Sequence, residues 1–236
     1  MDGYREIIVK PIIPASSQNG AAYSVNDVLF DWTAFTVSHG FGRMIGTNIL
    51  IRGTDGVRQE QPFDLYYHQG GSAPTLGPNN NPVNMPPSNG FLGGVHVSAS
   101  HYMDGLPTME FANNITSARL TIPKPIILQL KSALFKYINI GAVAQGAFDF
   151  RSGVTCTGVQ PTTQNILTVG GTSALINFAP GDVLHDENSR LLGTVRSVDS
   201  ATQMTMVDNL ANATVNGDKV YNINPITITL SFSYNP

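Results

Sequence analysis

The run Ile226-Thr227-Ile228-Thr229-Leu230-Ser231-Phe232-Ser233-Tyr234 alternates apolar and polar residues without an exception. Successive side chains of a strand point to opposite faces, so only a strand gives this run one dry face and one wet face. The dry face carries Ile, Leu, Phe and Tyr; the wet face carries only Thr and Ser. The pattern predicts an antiparallel strand with one face on a core. Such a face must be covered by a second layer, which points to packed sheets.

Composition agrees with many short strands and turns. The chain has 236 residues, enough for one large β domain or two smaller ones. It holds 23 Gly, 15 Pro, 20 Asn and 20 Thr. Thr favours strands, and Gly, Pro and Asn favour turns. Charged residues make up 12%, about half of the roughly 25% usual for globular chains. Much of the surface must therefore be polar but uncharged. A net charge of −3 offers no basic face for a phosphate backbone, so no nucleic-acid partner is expected. No apolar run is long enough to span a bilayer, so no membrane partner is expected. The start Met1-Asp2-Gly3-Tyr4-Arg5-Glu6 has no apolar signal core, and no export signal is expected. The single cysteine, Cys156, cannot form an intrachain disulfide and reads as a buried free thiol.

Several strands can be placed from pattern. Arg5–Ile13 reads as a strand or an extended arm, and Tyr23–Val37 is rich in apolar and aromatic residues. Ile45–Arg52 and Phe63–His68 read as a hairpin turning through Gly53–Gln61, with Phe63, Leu65 and Tyr67 on one face and Asp64, Tyr66 and His68 on the other. In residues 70–90, fourteen of 21 are Gly, Pro or Asn, so no regular element is expected; such a loop could order against a neighbour in an assembly. Val95–Ala99, Leu120–Ile122 and Phe148–Arg151 read as further strands. Pro125–Phe135 fits both a helix and a strand.

Residues 153–224 have a texture of their own. Five short apolar segments (Ile166–Val169, Gly181–Leu184, Leu192–Val198, Met204–Val207 and Lys219–Tyr221) follow one another at close spacing with turn residues between them. The expected fold is all-β: an antiparallel β-sandwich of jelly-roll-like kind, residues 1–152 plus 225–236 with an N-terminal arm, and an inserted small SH3- or OB-like β-barrel, residues 153–224. The insertion is expected within a hairpin formed by the Phe148–Arg151 strand and the final strand. Asp27-Val28-Leu29-Phe30-Asp31 echoes Asp182-Val183-Leu184-His185-Asp186, which reads as shared turn-to-strand chemistry.

No constellation for catalysis is visible, and no catalytic, cofactor-binding or metal-binding residue is assigned. His39, His68, His96, His101 and His185 lie in no metal-ligand spacing. Asp182, Asp186 and Glu187 cluster but lack the spaced carboxylates of a calcium loop, and read as a solvated turn. Glu60 and Asp64 could be taken for a glycosidase pair, as could acids in any β protein. Gly40-Phe41-Gly42-Arg43-Met44-Ile45-Gly46 is glycine-rich but has neither the spacing nor the setting of a phosphate loop. Asn114-Ile115-Thr116 and Asn212-Ala213-Thr214 fit the glycosylation pattern, which means little without a secretion signal.

Tyr23-Ser24-Val25-Asn26-Asp27-Val28, then Ile49-Leu50-Ile51-Arg52, Gln61 and Phe63-Asp64-Leu65-Tyr66-Tyr67 resemble the N-terminal region of virion structural proteins of tailed bacteriophages. The resemblance covers roughly residues 20–70 and the terminal strand, and the insert looks like small barrels of phage head and tail proteins. It implies a non-enzymatic capsid decoration or cement protein on the capsid exterior, without cofactor, with the major capsid protein and neighbouring copies of itself, as a trimer, for partners. The inserted barrel departs from the plainer pattern of such proteins. Two alternatives stand beside this reading. One is a tail adaptor, baseplate or fibre-base component. The other is a carbohydrate-binding β-sandwich using Trp32, Tyr66, Tyr67 and Tyr102 as stacking platforms, against the plainer reading of these rings as core and cross-strand pairs.

Overall fold

The computed structural model describes residues 3–37, 40–53, 55, 57, 59–69, 75–86, 90–102, 110–115, 127–130 and 137–234. It is all-β, 49% strand and 6% helical, with antiparallel sheets of which none is closed. The strands before the insert are β1 (Gly3–Val9), β2 (Val28–Thr36), β3 (Gly40–Ile51), β4 (Phe63–Gln69), β5 (Phe91–Val97), β6 (Glu110–Ile115), β7 (Ile127–Leu130) and β8 (Tyr137–Ala144). Then follow β9 (Val154–Cys156), β10 (Ile166–Gly171), β11 (Val183–Asp186), β12 (Leu191–Ser200), β13 (Gln203–Met206), β14 (Val220–Asn222) and β15 (Ile226–Tyr234).

The first and last strands pair, and the pairs nest: β1 with β15, β2 with β8, β3 with β6, β4 with β5. Two sheets result, β1-β15-β3-β6 with β7 also on β3, and β2-β8-β4-β5. Their inner faces meet in one apolar cluster, so the architecture is sandwich-like. Ile226, Ile228, Leu230 and Phe232 are all buried there, as the alternation of β15 predicts. A chain of rings fills one end: Tyr23 meets Phe150 edge-on at 5.7 Å, Phe150 stacks on Phe148 at 5.8 Å, and Phe148 meets Phe63 edge-on at 5.8 Å. A second cluster lies wholly within Val154–Val220 and shares no residue with the first. Around it runs the sheet β14-β11-β12-β13-β10-β9. An isolated bridge, Thr155 to Lys219, connects its two ends.

Five strands of residues 153–224 lie where the pattern puts them; β9 has too few residues to leave a pattern and was not expected. Other expectations are corrected. β3 and β4 do not form a hairpin through Gly53–Gln61: β3 pairs with β15, β6 and β7, whereas β4 pairs with β5 and β8. The chain crosses there from one sheet to the other. For the same reason the insert does not sit in a hairpin, because β8 and β15 belong to opposite sheets. Phe148–Arg151 is not a strand. Its apolar residues are buried, but its backbone meets only single partners: Tyr23 N–H donates to Phe148 O at 2.7 Å, Asp149 N–H donates to Gln59 Oε1 at 2.6 Å, and Gln59 Nε2 donates to the Asp149 carbonyl. Within Pro125–Phe135 the described residues Ile127–Leu130 are strand β7, because Gly40–Arg43 offers an antiparallel partner. The Arg5–Ile13 segment is β1 as far as Val9, held on its own chain by β15. The described part of the Pro/Asn loop is also held on its own chain. Val28 N–H donates to Asn81 O, Asn80 N–H to Val28 O and Val83 N–H to Asn26 O, at 2.8–2.9 Å. These bonds cover the start of edge strand β2, a site otherwise open to unwanted pairing. His39, Leu120 and Ile122 lie outside the described residues.

The echoed Asp-Val pattern has a physical cause, an Asp-closed turn, and that turn occurs three times. Ser24–Asp27, Ala179–Asp182 and Val215–Asp218 are four-residue turns closed by the Asp N–H on the first carbonyl at 3.0, 3.1 and 3.3 Å. In each, Asp Oδ2 accepts the first residue's N–H at 2.7–2.9 Å. The third residue has positive φ: Asn26 (71°), Gly181 (88°) and Gly217 (94°). Left-handed backbone at that place is what this turn type needs, and Gly or Asn supplies it. A strand follows each time. A Cβ at Gly181 or Gly217 would meet nothing within 4 Å. Gly181→Ala and Gly217→Ala should therefore each destabilise by about 1–2 kcal/mol through backbone strain alone. Asn26→Gly should stay within about 1 kcal/mol of the parent. Urea unfolding midpoints at unchanged slope test both.

Candidate functional site

The alternation of β4 that buries Phe63, Leu65 and Tyr67 puts Asp64, Tyr66 and His68 on the other face, where Asp64 and Tyr66 are half-buried and His68 is buried. Register then sets their neighbours. Tyr66 lies opposite Gly94 of β5 and Gly141 of β8. Both glycines leave room for rings. A Cβ at Gly94 would stand 3.0 Å from the Tyr66 ring, and one at Gly141 would stand 2.5 Å from Leu76 and 3.1 Å from Trp32. Tyr66 meets Phe91 at 5.7 Å, tilted by 48°, and Trp32 meets His68 at 5.6 Å, tilted by 50°. An aromatic strip thus crosses the outer face of the four-stranded sheet.

A polar cluster adjoins it. The Asp64 carboxylate pairs with His96 Nδ1 at 2.6 Å and accepts from Gln145 Nε2 at 2.9 Å and Tyr66 Oη at 3.2 Å. Burial first, and then Asp64, pushes the Tyr66 hydroxyl above its ordinary range. Burial pulls His68 below the usual imidazole value, and burial and then His96 do the same to His101. His101 Nδ1 also accepts the Ser98 N–H at 3.1 Å, closing a short 3-10 turn, Ala99–His101.

The other candidates from the sequence do not converge. Among the described residues no group of three His, Cys, Asp or Glu is arranged to hold a metal ion. His185 lies in the insert, 3.0 Å from Ser189 O. Asp182 is an ion-pair partner of Arg52, and Asp186 accepts from Asn188 N, Arg190 N and Arg190 Nε at 2.6–3.0 Å. Glu187 accepts the Lys219 N–H at 2.6 Å. These acids close turns, but Asp182 and Asp186 are buried rather than solvated. Asp64 pairs with His96 and accepts from Gln145 and Tyr66. Cys156 is buried, and burial pushes its thiol up to about 11. Gly40–Gly46 lies along β3. Thr214 is fully buried, so the Asn212 glycosylation pattern has no accessible hydroxyl, and Thr116 lies outside the described residues. Of the four aromatic platforms, Tyr67 is a core residue and the Tyr102 hydroxyl is bound to Gln61 O at 2.7 Å. Trp32 and Tyr66 remain. Phe91 was missed, because Gly93 and Gly94 interrupt its strand before the alternating Val95 and Val97.

Two other surfaces bear on function. On the outer face of the five-stranded sheet, Thr229 stands between Ile8 and Asn48, Thr227 opposite Leu50, and Ser231 between Glu6 and Gly46. Its centre is uncharged, Thr and Ser interleaved with Ile8 and Leu50, with Glu6 at the β1 rim. A cleft of about 530 Å³ lies where the insert meets the sandwich, lined by Asp55, Gln59, Asp149, Arg151 and Gly153 among others. Its cation is already satisfied: Arg151 Nε donates to Asp149 Oδ1 at 2.8 Å and to Oδ2 at 3.0 Å. A scan against protein-family models finds no match, and a search of curated proteins also finds none.

Two measurements test this description. Folded His68 and His101 resist protonation, whereas the unfolded chain takes up protons near pH 6.5, so stability should be fully present above that value and fall as pH drops below it. Urea unfolding at pH 7 and pH 5 should show the loss, and a His68→Gln, His101→Gln double variant should lose less. Cys156 should react with a soluble disulfide reagent only at the rate of unfolding, and denaturant should expose it.

Proposed function

We propose that this chain is a non-enzymatic structural protein of a bacteriophage particle, bound to the capsid exterior as a decoration or cement protein. The observation that carries the reading is the nested pairing of first strand with last, second with eighth, third with sixth and fourth with fifth. Wrapped into two sheets, this order is read as that of a jelly roll, an architecture that recurs in viral capsid domains. The inference from fold to role is by analogy. The insert is read as a small barrel of the SH3 or OB kind, its sheet ends linked through Thr155 and Lys219.

The outer face of the five-stranded sheet supports the same role. Its Thr and Ser positions, flanked by Ile8 and Leu50, can be covered without burying charge, and Glu6 stands at the β1 rim. The partners proposed are the major capsid protein and further copies of this chain, as a trimer. Repetition of one weak contact around a symmetric shell would supply avidity.

Copy number tests the role. Quantitative mass spectrometry of purified virions should give a ratio to the major capsid protein near one. A few copies per particle would move the protein to the tail, and absence from virions would overturn a structural role.

A further inference from the structure

We propose that the outer face of the four-stranded sheet binds a neutral pyranose oligosaccharide, stacked on Tyr66 and Phe91 and hydrogen-bonded by Asp64, His96 and Gln145. The inference does not depend on the virion reading.

The chemistry of the face selects the ligand class. A sugar ring presents an apolar C–H face and a belt of hydroxyls. Its receptor therefore needs a flat ring beside a few fixed polar groups. Here both occur on one row of the sheet. Tyr66 is half-buried and lies over Gly94, and Phe91, 42% exposed, stands beside it. A residue with a side chain at Gly94 would displace the ring from the sheet, so the platform depends on that glycine. Asp64 lies two residues before Tyr66 on the same face. A carboxylate has about four acceptor positions, and three of those of Asp64 are filled by His96, Gln145 and Tyr66. Those partners hold it in place and leave one acceptor for a sugar hydroxyl. Asp64 also sets selectivity: its charge repels uronic and sialic acids and leaves neutral hexoses.

The structure contains its own reporter. Trp32 is the only tryptophan, and it lies against His68 on this face. The full chain is titrated separately with cellohexaose, chitohexaose and maltohexaose, followed by Trp32 fluorescence and by calorimetry. At least one should give saturable binding. Phe91→Ala and Tyr66→Ala should each weaken it by about tenfold, the scale of one lost aromatic contact. Asp64→Asn should weaken it as well, whereas Ile8→Ala, on the opposite sheet, should leave it unchanged. Thermal unfolding checks each variant; should Tyr66→Ala fail to fold, the exposed Phe91 decides alone. No saturable binding to any of the three hexasaccharides would overturn the proposal. So would binding that survives loss of the Phe91 ring undiminished.

Discussion

The sandwich depends on β15 lying between β1 and β3. It pairs with β1 from Val9–Ile228 to Gly3–Tyr234, and with β3 from Ile51–Ile226 to Gly42–Tyr234. Without it β1 has no described partner strand, and one wall of the core loses Ile226, Ile228, Leu230 and Phe232 together. Truncating one large core residue costs about 3–5 kcal/mol, and a whole domain has only about 5–15 kcal/mol of net stability. The wall is therefore not a detail that the rest could survive losing. This strand also comes last, after the whole insert. Its pairing is long-range, and contacts between distant parts of a chain form slowly because loop closure is unfavourable.

The seating of the insert therefore matters for the sandwich. Three side chains of the body hold the insert and the returning chain. Gln18, itself buried, donates Nε2 to Ile13 O at 2.7 Å and to Asn222 O at 2.8 Å, tying the body to the end of β14. Asn19 Oδ1 accepts from Tyr221 Oη and Lys219 Nζ, both at 2.8 Å. Arg52 pairs with the buried Asp182 of the Ala179–Asp182 turn, while its own N–H donates to Pro225 O at 2.9 Å, one residue before β15 begins. Burial pushes the Asp182 carboxyl above its ordinary range, and Arg52 opposes that shift only in part. A buried ion pair adds little net stability over an apolar pair, but removing one partner leaves an uncompensated charge at a cost of about 3–5 kcal/mol. Its contribution is to position: it brings Pro225, and hence β15, to the end of β3.

What the sequence made legible follows the range of the forces involved. Face alternation is local, so β4, β15 and most strands of residues 153–224 could be read directly, as could the Asp-closed turns. Pairing is not local. Ile45–Arg52 and Phe63–His68 looked like a hairpin because proximity in sequence usually means proximity in a sheet, yet each finds its partners in a different sheet. Phe148 and Phe150 alternate like strand residues and are buried like strand residues. The Gln59 side chain and a single bond from Tyr23 N–H stand in place of a partner strand, and no local pattern encodes that substitution. The same device recurs in the insert, where Gln160 Oε1 accepts the Thr168 N–H at 2.7 Å and Gln160 Nε2 donates to Thr168 O at 2.6 Å. The aromatic face was half legible: Trp32 and Tyr66 stood out, whereas Phe91 and the spaces over Gly94 and Gly141 emerge only from cross-strand register.

Register also separates the two surfaces on which function is proposed. Both belong to sheets that cover one core, and the outer faces of two packed sheets point in opposite directions. The Thr/Ser/Asn face of the five-stranded sheet and the Tyr66–Phe91 face of the four-stranded sheet are therefore back to back. A sandwich seated through the first keeps the second turned outward. The two proposals thus place no competing demand on one surface. The division follows from strand alternation: the residues that make the common core of the two sheets leave one outer face uncharged at its centre and the other carrying rings beside a fixed carboxylate.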